Sequence, residues 1–320
     1  MSNSTALGQH PLAGLVVAVV GAGRIGSEVI RNLGLMGIGR IDVYERERHA
    51  ADPLRSRYTV HEGDFWDTLT LARLQGYDFA VNTIDTRAAS RRMNQKCLLA
   101  NVNLIEVATE NTLARVSAYP FGSRDDVGCA ECGSSGTAAV SLPLASLRMS
   151  VDDNPCKTAT ALAADVAITS TAGAVAAALM ARIAAGSHGS VARTATLDAT
   201  LGQGTSIEIR RDPHCPRCAN LHRPVPIVHT RNRWDVAAGV AAACPDVFNQ
   251  RLELSDDIAG MAHGSCCLHE LSARFHGGPI PAKFALTEVD GRTICLSFED
   301  FGLGEAPASA RAAAGRHPSN

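Results

Sequence analysis

Leu15 to Val20 reads LVVAVV, and Gly21-Ala22-Gly23-Arg24-Ile25-Gly26 follows without an intervening residue. A short, β-branched apolar run of this kind is a strand buried on both faces, as in a parallel sheet. A glycine-rich turn after such a strand, leading into a helix-like stretch from Ser27 to Met36, is the first βα unit of a nucleotide-binding fold. Gly21 makes the bend, Gly23 lets backbone approach a phosphate, and Gly26 lets the helix pack closely on the sheet. The helix N-terminus brings N–H groups and a partial positive charge to the same place. Glu45 stands nineteen residues beyond Gly26, closing a second strand (Arg40–Tyr44) where an acid hydrogen-bonds a ribose hydroxyl. These residues predict a bound nucleotide, and the motif does not choose between a dinucleotide and ATP.

Further strands are predicted at Tyr58–His61, Phe79–Thr83 and Asn103–Val107, with a helix over Ala88–Ala100. Strands alternating with helices give a doubly wound, Rossmann-like α/β fold. Val191 to Ile209 alternates as antiparallel strands do. The stretch Ala159–Ala185 is apolar enough to raise a membrane span, but Asp165, Thr169, Ser170, Thr171 and Gly173 interrupt it, so a buried helix is expected. Apolar residues make up 46% of the 320, enough for a large core, and the net charge of −2 offers no general attraction to nucleic acid or an acidic membrane. The polar opening MSNSTALGQHPLAG lacks the basic start of a secretory signal, so a cytoplasmic location is expected. Ten cysteines in such a chain read as reduced thiols.

Cys129-Ala-Glu-Cys132 and Cys215-Pro-Arg-Cys218 are two CxxC pairs, each with the bite to hold two corners of a tetrahedral zinc ion. Four protein ligands leave no open position, so the expected role is structural: it staples the nucleotide unit to the antiparallel extension after Val191. The competing reading, a redox CxxC, needs a helix starting at the pair, and neither pair shows one.

Taken together, GAGRIGSEVIRNLGLMGIGRIDVYERE, DFAVNTIDTRAASRRMNQKCLLANVNLIEVA, NPCKTAT, CAEC and HCPRC resemble the ubiquitin-activating-enzyme-like superfamily in its bacterial ThiF/MoeB/HesA branch. The resemblance runs from about Leu15 to Cys218. It implies an adenylyltransferase that uses ATP and magnesium to activate a carboxylate, on a sulfur-carrier or ubiquitin-like protein or on a ribosomal peptide. Gly21, Gly23, Arg24 and Gly26 then surround the phosphates, and Glu45 takes the ribose position, where the family usually has Asp. Asp85 matches the acid that serves magnesium; the residues by themselves also allow it to cap the helix from Ala88. Cys156 matches a thiol that carries the activated acyl group in relatives, and otherwise reads as a loop cysteine beside Lys157. A homodimer is implied by the resemblance only.

The pattern also departs from the family. Only forty residues separate Glu45 from Asp85, and this interval holds no lysine. Arg55 or Arg57 is the candidate for the family's phosphate-binding arginine there. Lys96, Lys157 and Lys283 are the chain's lysines. Two other readings stay open: a non-catalytic scaffold or peptide-binding relative, and an NAD(P)-binding oxidoreductase. The expected organisation is a nucleotide unit with zinc over 1–220, a small region over 221–303 containing a helix (Trp234–Ala243) and strands near Phe284–Glu288 and Arg292–Phe298, and a tail over 304–320. His263, Cys266, Cys267 and His269 are a weak candidate for a second metal, with packing the simpler account.

Overall fold

In the computed structural model, the described residues are 12–47, 57–84, 86–110, 112–123, 126–132, 161–186, 191–198, 201–215, 218–219, 221, 223–229, 251–254, 264–267, 284–289, 292–297 and 299. They fall in two compact units, divided between Asn220 and Leu221.

The first unit is organised by one eight-stranded sheet. Its strands are β1 (Val16–Val20), β2 (Arg40–Glu45), β3 (Thr59–Glu62), β4 (Phe79–Asn82), β5 (Asn103–Glu110), β6 (Leu113–Tyr119), β7 (Ala192–Asp198) and β8 (Gln203–Ile209), in the spatial order 3-2-1-4-5-6-7-8. The first five pair in parallel; β5 through β8 pair antiparallel. The order reverses beside β1, and in open α/β sheets ligands bind beyond the strand ends at that reversal.

Helix α1 (Arg24–Leu35) buries Ile25, Gly26, Val29, Ile30 and Leu33, one stripe of a 3.6-residue period. It stops where Gly37, at φ 75°, turns the chain out of the helix. Two single-turn helices, α2 (Phe65–Thr68) and α3 (Leu71–Leu74), precede β4 and are capped by Asp64 and Thr70. Helix α4 (Arg87–Ala100) starts at Thr86, whose hydroxyl accepts from the Ala89 N–H, and ends at Asn101 in the left-handed region. Helix α5 (Ala161–Ala184) contains a stretch, Val166–Ala184, that is long and apolar enough to cross a membrane, with mean hydropathy 1.6. In the fold, however, Ile168, Ala172, Ala176, Ala177, Leu179, Met180 and Ile183 join the core with α1 and the sheet. Gly173 makes this possible, because a Cβ there would lie 2.9 Å from the Glu28 carbonyl carbon of α1.

Helices therefore cover both faces of the parallel half, as the glycine-turn reading requires. The strand boundaries differ from expectation at β5, which runs to Glu110 because it continues as half of a hairpin with β6. β6 is absent from the sequence reading.

In the second unit, β9 (Ile227–His229), β10 (Arg251–Leu254), β11 (Gly264–Cys267), β12 (Phe284–Val289) and β13 (Arg292–Ser297) form a five-stranded sheet in the order 11-10-12-13-9. The two predicted strands correspond to β12 and β13. The predicted helix Trp234–Ala243, His263, His269 and the 304–320 tail lie outside the described residues.

Candidate functional site

The glycine turn is built at the C-terminal end of β1. Gly21 adopts φ 92°, and a Cβ there would sit 2.8 Å from Thr83 Oγ1. The Thr83 hydroxyl lies 3.0 Å from the Val20 carbonyl oxygen and 3.1 Å from that of Gly21, bonding β4 to the turn. A Cβ on Gly26 would fall 2.1 Å from the Gly21 carbonyl oxygen, so only glycine lets α1 start so close to the strand. Gly23 is different. No atom lies within 4 Å of the point where its Cβ would be. Its freedom serves an approach from outside, while Gly21 and Gly26 serve the fold. Gly23 is also the N-cap of α1, which has no side-chain capping bond and no acid in its first turn. The positive end of that helix is left for an anion.

Glu45 sits against this turn. Its Oε2 accepts from the Ala22 N–H at 2.5 Å, and its Oε1 from the Glu47 N–H at 2.8 Å. The acid from the end of β2 thus clamps the centre of the glycine turn, a contact that residue spacing could not reveal. Arg24 is exposed at the first position of α1.

The other predicted residues separate clearly. Arg57 is exposed just before β3, whose Thr59 pairs with Asp42, whereas the glycine turn follows Val20, which pairs with Tyr44. Arg57 is therefore at the N-terminal edge of the parallel strands, opposite the turn, and the fold does not bring it to the glycines. Lys96 is fully buried, donating to the carbonyls of Trp66 (3.1 Å) and Leu69 and lying 4.9 Å from the centre of the Trp66 ring. It ties α4 to α2 rather than facing the turn. Arg55, Asp85 and Cys156 lie outside the described residues, as do Lys157 and Lys283. The capping role considered for Asp85 is filled by Thr86.

The sheet register exposes a group that sequence reading passed over. Asn82, Glu106, Ser117 and Thr194 are lateral neighbours on β4, β5, β6 and β7, in one row with Val20. The row faces α4, because Ser90 of that helix donates to Glu106 Oε1 at 2.7 Å. Asn82, Thr86, Ser90, Glu106, Arg115 and Ser117 line a crevice there, with Ile84 between it and the glycine turn. Glu106 is half-buried. Burial pushes its carboxyl up to about 7, against the downward pull of the Ser90 hydroxyl, the Arg115 charge and the Asn82 side chain. The signal was present in the sequence as an acid inside the apolar run NLIEVATE and an arginine in LARVSAY.

The four cysteines of the CxxC pairs meet. Sγ separations are 3.8 Å for Cys129–Cys132, 3.6 Å for Cys129–Cys215 and 3.3 Å for Cys132–Cys218, and all four lie within 4.8 Å of one another. Four thiolates at about 2.3 Å from a tetrahedral ion would be spaced by about 3.8 Å. All four are buried and none is in a disulfide. Because the pairs converge, neither is an isolated redox CxxC. Such a cluster can hold a metal ion, whose charge offsets the mutual repulsion of buried thiolates. The Asp212 N–H donates to Cys132 Sγ at 3.4 Å. Asn94 Oδ1 accepts from the Ala130 N–H, and Arg91 pairs with Glu131 at 2.9 Å, fastening the cluster to α4.

No family model matches the chain. A SUMO-activating enzyme subunit, uba-2, of Caenorhabditis elegans is 25% identical over 145 residues, covering 36% of this chain and 24% of that protein. SUMO-activating enzyme subunit 2 of Dictyostelium discoideum is 26% identical over 145 residues, covering 36% of this chain and 22% of its own length. The chain thus spans about a quarter of the length of these curated relatives. Among solved structures, E. coli MccB with MccA-N7isoASN is similar at 20% identity and a TM-score of 0.49, over 65% of this chain and 68% of that one.

Proposed function

From the premise that the chain belongs to the ubiquitin-activating-enzyme-like superfamily, we propose that it binds ATP at the glycine turn and adenylates a carboxylate. The carboxylate is the terminus of a peptide or small carrier protein. Its oxygen attacks the α-phosphate of ATP, pyrophosphate leaves, and an acyl-adenylate remains. The observation that carries this reading is the open space at Gly23, beside an α1 N-terminus without a side-chain cap, at the reversal of the strand order.

In this reading the phosphates approach Gly23 and the first N–H groups of α1, with Arg24 as a nearby cation. Glu45 holds the turn in shape and presents its carboxylate toward the ribose. Asp85 follows Ile84 in the chain and is assigned to magnesium, whose charge offsets that of the triphosphate. Cys129, Cys132, Cys215 and Cys218 hold zinc, the metal suited to four thiolates, in a structural role. Cys156 is assigned as the thiol that accepts the acyl group. The thiols suit a reducing, cytoplasmic setting, and two copies form the working unit.

A second reading is a scaffold that keeps the fold without the chemistry. It is favoured by Lys96, which is used in packing rather than placed as a phosphate counter-charge. Calorimetric titration separates the readings. Saturable ATP–magnesium binding that weakens in Asp85→Ala and Gly23→Ala supports adenylation. Binding of NADH or NADPH in its place would make the chain an oxidoreductase, and binding of none of them leaves the scaffold.

A further inference from the structure

A structural staple asks only that its four cysteines stay together. The loop between the first two does more than that. Ala130 and Glu131, which stand between Cys129 and Cys132, are both held by α4: Asn94 Oδ1 accepts from the Ala130 N–H at 3.4 Å, and Arg91 pairs with the Glu131 carboxylate at 2.9 Å. The ion pair is partly exposed and contributes little by itself. Asn94 is 3% exposed, so losing its bond would leave a buried amide oxygen unpaired.

Asn94 lies four residues after Ser90, and residues at that spacing are neighbours on a helix surface. Ser90 in turn donates to Glu106 Oε1 at 2.7 Å. One turn of α4 thus separates the residue that grips the CxxC loop from the residue that grips the crevice acid. On its other flank α4 is held by Lys96, which donates to the carbonyls of Trp66 and Leu69, and by Arg92, 4.9 Å from the centre of the Trp66 ring. Of these two anchorages, only the CxxC loop depends on an ion. Four buried thiolates repel one another until a cation offsets their charge, so that loop is settled in the loaded site.

We propose that metal occupancy at the four cysteines sets Ser90 against Glu106, with Asn94 as the positioning residue that carries the constraint and Arg91 as its weaker support. That an ion sits there rests on the metal assignment made above; the adenylation reading is not needed. A chain that has lost its ion keeps the glycine turn, which is held by Thr83 and Glu45, and loses the arrangement of the crevice beside it.

The Glu106 carboxyl is to be followed by NMR in the whole protein with isotope-labelled glutamate, its signal assigned by its loss in Glu106→Gln. The groups acting on this carboxyl are Ser90 and Cys97 of α4, Asn82 of β4, and Arg115 and Tyr119 of β6, with burial keeping the Cys97 and Tyr119 protons in place. Ser90→Ala in the zinc-loaded chain is expected to raise the titration midpoint by roughly one pH unit, the worth of one hydrogen bond to a charged group. Withdrawing zinc from wild type with a chelator should raise it equally, and withdrawing zinc from Ser90→Ala should add nothing, because the bond is already gone. Asn94→Ala with zinc bound should reproduce the rise, which keeps the test decisive if circular dichroism shows the zinc-free chain unfolding. A folded zinc-free chain with an unchanged midpoint, equal shifts in wild type and Ser90→Ala, or a zinc-loaded Asn94→Ala with the wild-type midpoint would each overturn the proposal. If the chain takes up no zinc, the metal assignment falls and the coupling with it; if zinc binds and the midpoint ignores it, the coupling alone falls.

Discussion

On the face covered by α1 and α5, the eight-stranded sheet presents Val17, Val19, Ile41, Val43, Phe79, Val81, Ile105, Val107 and Val116. On the face toward α4 the same strands present Asp42, Asn82, Glu106 and Ser117. The first face is closed by helices that carry small residues where they touch, such as Gly173. The second carries polar groups that must find partners: Ser117 pairs with Thr194 at 2.9 Å, and Asp42 takes Tyr77 and Arg40. The two faces thus differ in kind: the first is apolar at these positions, whereas the second mixes buried apolar residues such as Ala18, Val20, Tyr44, Ala80 and Leu104 with partnered polar ones.

That comparison is strongest where the covered face is perturbed. Met180→Ala on α5 is expected to cost about 2–5 kcal/mol, because the side chain is fully buried and a cavity would remain, as denaturant unfolding would measure. Gly26→Ala tests the seam between helix and sheet. Its new Cβ would meet a backbone oxygen rather than a flexible side chain, and roughly 2–3 kcal/mol of stability should be lost.

On the polar face, Glu106→Gln should change stability by no more than about 1 kcal/mol near pH 5. The difference should then move with pH. Burial raises the Glu106 carboxyl from 4.5 to about 7, so between those values the folded chain holds more protons than the unfolded one. The wild-type contribution is full below 4.5 and is lost as pH rises to about 7. Melting curves across that interval should therefore show the variant gaining on wild type; parallel curves would mean the acid is not desolvated. The smallest stability effect is expected of Gly23→Ala, within about 0.5 kcal/mol, since the added methyl enters open space at a negative φ. Its effect on ATP binding should nevertheless be large. A variant as unstable as Gly26→Ala would break the distinction between the two glycines.

The covered face was legible in the sequence because its cause is local. LVVAVV, GAGRIG and the Ala-rich stretch each specify an element through periodicity, and their order specifies the sheet. The convergence of the cysteines was legible because CxxC spacing carries its own geometry. The polar row was not, because Asn82, Glu106 and Ser117 are brought side by side only by strand register, across a helix between β4 and β5 and through the hairpin of β5 and β6. β6 was missed for a related reason: Arg115 and Ser117 look like surface residues unless the strand opposite them is known. Arg57 is the converse case. Proximity in sequence to an expected motif placed it at the nucleotide, and the parallel direction of β3 carries it to the other edge.

The cysteine cluster has a consequence for the chain between its ends. Cys129 and Cys215 are 86 residues apart, as are Cys132 and Cys218, so an ion shared among them turns the intervening polypeptide into a ring. That ring includes α5, β7 and β8, and also Cys156. Closing a ring of this size restricts the denatured chain by about 4–5 kcal/mol in the chain-entropy account of cross-links. A four-thiolate site of this kind exists only in the folded chain, so loading the ion would add its binding energy to the fold and make the antiparallel extension a tethered insertion held at both ends by the metal.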